Sequence, residues 1–221
     1  IPHVRSFDFV ANADTAVELK NKIDQIKGIC DCPEIDLVTH SMGGLVARQY
    51  IQSSDYENDI DDLIFMGTPH LGAPKDYLVW EAGFLGSEFT DKVLSIMFTN
   101  EGKKLGYEDL FSYIQNKPIQ SVQELLPIYN YLVDAVPPSV RHYPENYPIN
   151  SFLENLNNTL PALADSGVTV YNIIGELEGI STINHIRVVP SDKLPLWEHG
   201  YPEGFDESTG DRGLIWGSGD G

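Results

Sequence analysis

The stretch DLVTHSMGG, residues 36–44, narrows the folds open to this chain more than any other. An apolar run with strand character ends at Ser41. A helical pattern from Met42 to about Ser54 follows, with two glycines in its first turn and with Leu45, Val46, Tyr50 and Ile51 on its apolar side. A strand that turns at once into a helix strains the residue at the turn, so its neighbours must be small. Gly43 and Gly44 meet that need.

The flanking pattern predicts the sheet that such a turn belongs to. Residues 3–9 (HVRSFDF) read as a short strand. Asp14 then suits the N-cap of a helix with Val17, Leu19, Ile23 and Ile26 at apolar positions, Lys27 near its end and Gly28 as terminator. Residues 35–39 form the next strand, buried and β-branched, and residues 62–66 (DLIFM) a third, closed by Gly67-Thr68-Pro69. Strand, helix, strand, helix, strand at these spacings is the pattern of an α/β fold, a mostly parallel sheet flanked by helices.

After Pro69 nearly a hundred residues pass before the next strand, residues 168–174, which is far too long for a simple connection. Helices are expected near 90–98 and 108–115, and at two capping boxes, Ser121-x-x-Glu124 and Ser151-x-x-Glu154. Prolines punctuate the interval, and aromatics such as Trp80, Phe84, Phe111, Tyr129 and Tyr131 run through it. It reads either as a helical insertion with its own small core or as a cap that roofs a pocket. The domain expectation is a single incomplete domain over 1–221 with a helical cap over 75–165.

Fourteen basic residues against thirty-three acidic ones, a formal charge of −19, oppose nucleic-acid binding by counterion release. The same charge weakens attraction to anionic membranes without opposing a neutral ester or lipid in a pocket. No apolar run approaches the roughly 18 residues of a membrane span. Cys30 and Cys32 stand one residue apart, too close for a long-range staple and without further ligands for a metal, and are read as structural. No metal cluster, phosphate-binding glycine loop or cofactor motif is present, so no cofactor is expected.

The chemistry the turn allows is acyl transfer. A serine there projects its hydroxyl above the carboxyl end of the sheet, while the amides opening the helix face the same space. Ser41 is the expected nucleophile and the Met42 N–H the expected oxyanion donor, an interaction worth on the order of 3 kcal/mol. An ordinary turn serine is the competing reading, but strand, helix and second glycine agree with the nucleophile.

The segments VTHSMGGLVAR, FMGTPHLGAP and WGSGDG, in that order, resemble the α/β-hydrolase superfamily, in particular the lipase branch that includes lecithin:cholesterol acyltransferase-like proteins. One departure is Thr39, where that family usually has Gly. The resemblance implies an α/β-hydrolase fold and a serine esterase, lipase or acyltransferase working through an acyl-enzyme on Ser41. It makes Asp220 the triad acid, with Glu176 and Glu178 in reserve. Triad order in this fold is Ser, acid, His, which places the histidine beyond Gly221. His185 and His199 precede the acid, and His40 and His70 match positions that are usually structural. The second oxyanion donor is expected before Ile1. The expectation is therefore an interior piece of a longer hydrolase domain, by itself with little turnover, whose partners are a small-molecule or lipid ester and, transiently, a membrane or lipid interface. Its oligomeric state is not legible. A thioesterase or amidase, and a non-catalytic module binding a lipid or protein partner, are the alternatives.

Overall fold

A computed structural model describes residues 11–87, 89–116, 119–177 and 182–219. The strand expected at 3–9 lies outside the described residues. The first half of the fold is α1 (Asn12–Cys30), β1 (Ile35–His40), α2 (Gly43–Ile51) and β2 (Ile60–Met66), completed much later by α8 (Leu160–Ala164) and β5 (Thr169–Ile173). β1, β2 and β5 form a parallel three-stranded sheet in that order. The parallel pairing follows from the helical crossovers, since each strand must return to the same end before the next begins. Ile23 of α1, Ala47, Tyr50 and Ile51 of α2, Leu63 and Phe65 of β2 and Leu163 of α8 make one core.

Between β2 and β5 run α3 (Lys75–Ala82), α4 (Phe89–Lys104), α5 (Leu110–Gln115), α6 (Gln120–Gln123), β3 (Leu132–Ala135), β4 (Pro138–Val140) and α7 (Ser151–Asn158). After β5 come β6 (Thr182–Val189), β7 (Tyr201–Pro202) and β8 (Leu214–Gly217). A second sheet in the order β4-β3-β6-β7, with β8 also on β6, joins the inserted segment to the C-terminal part. Its core holds Tyr77, Leu126, Tyr131, Leu132, Ile186 and Trp197, with a chain of edge-to-face rings from Tyr77 through Tyr131 to Tyr147. The insertion is thus not purely helical. β3 and β4 are short, and the Pro137-Pro138 pair at the start of β4 disguises their strand character. The alternation along β6 is legible only once its burial is known, with Ile183, Ile186 and Val188 inside.

Several local expectations change. α1 does not stop at Gly28 but runs to Cys30, with Asp31 left-handed at φ 54 as its C-cap, and Cys30 is disulfide-bonded to Cys32 across that residue. Its N-cap is Ala11, so Asp14 sits in the first turn instead. Neither capping box forms. Ser121 lies inside α6, and the Glu124 carboxylate instead accepts the Asn12 N–H at 2.7 Å, at the positive end of the α1 dipole. α7 is capped one residue early by buried Asn150, whose Oδ1 accepts from Leu153 N at 3.0 Å while its Nδ2 donates to Leu126 O at 2.7 Å. β1 is an alternating strand and not a fully buried one, with Val38 59% exposed. No helix among the described residues is long and apolar enough to cross a membrane.

Candidate active site

The carboxyl ends of β1, β2 and β5 lie in register, His40 beside Met66 and Met66 beside Ile173. One step beyond, Ser41 takes φ 52, a left-handed conformation that L-residues other than glycine rarely adopt. Its N–H donates to Met66 O at 2.9 Å, which ties the bend to β2, and its carbonyl accepts from Gly44 N at 3.1 Å as α2 begins. Met42 is the helix N-cap and accepts from Leu45 N at 2.9 Å. The peptide is therefore sharply bent and the serine half-buried at the helix entrance. The first amides of a helix have no intrahelical acceptor, and the dipole adds positive potential there.

The two glycines differ in how strictly they are needed. A Cβ on Gly44 would overlap the Thr68 hydroxyl, and would lie 2.6 Å from Thr68 Cγ2 and 2.8 Å from the Phe65 ring. Gly43 would meet nothing closer than Thr39 Cβ at 4.0 Å. Thr39, the departure from the usual glycine, is accommodated by donating its hydroxyl to Ile64 O at 3.1 Å.

Arg48, which the sequence reading passed over, anchors the elbow from behind. It is fully buried on α2 without a carboxylate partner among the described residues. Nε donates to Gln52 Oε1 at 3.0 Å, Nη2 to Leu156 O and Asn157 Oδ1 at 2.8 Å each, and Nη1 faces His70 Nδ1 at 3.2 Å. Burial pulls its guanidinium down to about 10. Asn157 Nδ2 donates in turn to His70 O, so α2, the loop after β2 and α7 are locked together. The signal available in the sequence was an arginine on the apolar helix that follows the serine.

The histidines are placed elsewhere. His70 packs edge-on against Phe65, and burial, reinforced by Arg48, lowers it to about 4. His199 Nδ1 lies 2.7 Å from Oε1 of buried Glu81, whose Oε2 accepts the His199 N–H at 3.1 Å, in the second lobe. His185 lies on β6 opposite Ile215, and His40 is exposed at the end of β1. None of the four is hydrogen-bonded to Ser41.

A cavity of about 910 Å³ opens at the carboxyl ends of β2 and β5. Gly67 and Thr68 line it on one side and Ile173 to Gly175 on another. Ser41 is not in its wall; its N–H donates to the carbonyl of Met66, the residue before Gly67 of the wall. Leu78, Phe84 and Gly86 from the insertion, and Phe205, Leu214 and Trp216 from the C-terminal part, supply the rest of the apolar wall. Leu177 N donates to Gly219 O at 2.8 Å, so the loop after β5, with Glu176, and the WGSG tail converge on this rim. Asp220 and Glu178 lie outside the described residues.

A family model described as palmitoyl protein thioesterase matches residues 4–185. The match supports the α/β-hydrolase superfamily and gives no support to the lecithin:cholesterol acyltransferase-like branch. The chain has no match among curated proteins. Among solved structures it is similar to a chain in the crystal structure of the Tle4-Tli4 complex, at 18% identity and a TM-score of 0.43, over 76% of this chain and 43% of that one. It therefore spans less than half the length of that chain.

Proposed function

Because the chain belongs to the palmitoyl protein thioesterase family, an α/β-hydrolase family, we propose that it serves a serine acyl hydrolase acting on thioesters as well as oxyesters. The observation that carries this reading is the left-handed bend at Ser41, held between a parallel strand and a helix N-terminus beside a large, mostly apolar cavity. The Ser41 oxygen attacks the carbonyl carbon, the Met42 N–H donates to the oxyanion, and the bond to the leaving sulfur or oxygen breaks as that atom takes the proton. Water then cleaves the acyl-enzyme, returning the serine hydroxyl and releasing the acid. Asp220 is the proposed acid of the triad, from its place in the WGSGDG segment. The segment 75–165 is read as a cap, a reading supported by Leu78, Phe84 and Tyr129 lining the cavity, and the apolar wall suits an acyl chain. Its exposed apolar side chains on α4, Phe89, Ile96 and Met97, are compatible with transient contact at a lipid interface.

A fluorophosphonate probe tests the nucleophile. The full-length protein should be labelled and its Ser41→Ala variant should not; equal labelling of both removes Ser41 from the mechanism. Hydrolysis of matched acyl thioesters and oxyesters then defines the leaving group, and transfer to an added alcohol separates an acyltransferase from a hydrolase.

A further inference from the structure

The cavity wall contains one carboxyl group that the acyl-transfer chemistry does not use. Asp76 lies in the first turn of α3 and lines the cavity. Its side chain has no hydrogen-bond or ion-pair partner among the described residues, in contrast to the other charges around it. Asp91 has Lys75 at 4.0 Å. Asp211 accepts from Arg187 at 2.8 Å. Arg212 donates to Phe205 O at 2.6 Å and stacks over the Phe205 ring. The cations are thus engaged while one anion is not. Asp76 is half-buried, and a carboxyl partly withdrawn from water with no protein partner is open to a ligand that supplies one.

We infer that Asp76 is a specificity-determining residue of the cavity, which receives the ammonium group of a cationic acyl substrate. This rests on the acyl-hydrolase reading only for the word substrate; the binding itself does not. The chemistry is selective for three reasons. An ammonium supplies the opposite charge and N–H donors to a half-buried carboxylate, the combination that makes charge-assisted hydrogen bonds strong. Phe84, Tyr129, Phe205 and Trp216 line the same cavity, and aromatic faces attract cations. An anion would be repelled by Asp76, while Lys75 already faces Asp91.

Burial pushes the Asp76 carboxyl up to about 7, opposed only by Lys75. The titratable groups facing it are Lys75 from its own helix, Asp91 from α4, Tyr129 from the loop before β3, and Asp211 and Arg212 from the loop before β8. Near neutral pH the empty site is therefore partly protonated, and an ammonium ligand must displace that proton. Binding is expected to weaken about tenfold between pH 8 and pH 6.

The test compares n-hexylammonium with 1-hexanol, alike in size but differing in charge, by isothermal titration calorimetry on the full-length protein. Hexylammonium should bind at least about tenfold more tightly at pH 8, release protons at pH 7, and lose that advantage in Asp76→Asn. The same variant should be more stable than the parent at pH 8, because it removes a carboxyl whose ionisation opposes folding. Equal affinity for the two probes, or an ammonium preference that survives Asp76→Asn, overturns the inference. Repeating the titration on Ser41→Ala separates the two proposals: ammonium binding retained there with no fluorophosphonate labelling of the parent would sink the hydrolase reading and leave this one standing.

Discussion

Strain at the proposed nucleophile makes a prediction that runs against ordinary mutational experience. Ser41 holds φ 52, where a residue with a Cβ costs roughly 1–2 kcal/mol relative to its relaxed conformations. Ser41→Gly removes that Cβ and releases the strain. The gain is offset by about 0.4–1 kcal/mol, because glycine also widens the unfolded ensemble. Ser41→Ala keeps the Cβ and the strain while losing the hydroxyl, for which no partner is found among the described residues, so it should be close to neutral. The glycine variant should therefore exceed the alanine variant by about 0.5–1 kcal/mol. In a domain of this size that corresponds to a rise in Tm of roughly 1–4 °C. Urea unfolding of parent, Ser41→Ala and Ser41→Gly at equal concentration measures the difference, and fluorophosphonate labelling should be lost in both variants. A glycine variant no more stable than the alanine variant would mean that the bend is unstrained, and the argument from strain to function would fail.

Two further tests probe what holds the elbow in place. Arg48→Met leaves the half-buried side-chain acceptors of Gln52 and Asn157 without their donor, and should destabilise the fold by about 1–3 kcal/mol in the same denaturation assay; Arg48→Lys should recover only part of this, since an ammonium cannot span the fork. The His70 ring is held near 4, below its unfolded value of 6.5, so its contribution to stability is fully present above pH 6.5 and is lost as pH falls toward 4. Thermal melts across that window should show the parent losing stability relative to His70→Gln, and parallel curves would refute the assignment.

Much of the first sheet was legible because its signals are local. The alternation of β-rich and helical segments needs no distant partner to be read, and the pair of glycines after Ser41 states its own steric demand. Gly44 proved the strict one, because the atoms it must avoid belong to Thr68 and Phe65, which only β2 brings there. The second sheet was not legible. β3 is a strand because β6, some fifty residues away, pairs with it, β4 is held in turn by β3, and their own sequence is too short and too proline-rich to declare it. The capping boxes failed for a related reason, since Glu124 found a better acceptor role at the start of α1, a hundred residues upstream, than in its own helix.

Sequence alone determined the parallel α/β plan, the bend at Ser41 and the residue types able to carry acyl transfer there, because backbone sterics and hydrophobic period act over a few neighbouring residues. Tertiary structure decided where the cavity lies, that Arg48 braces the elbow, that His70 and His199 are held by partners other than Ser41, and that Asp76 faces the cavity unpaired. Those properties depend on burial and on charges brought together from distant parts of the chain, and no local pattern encodes them.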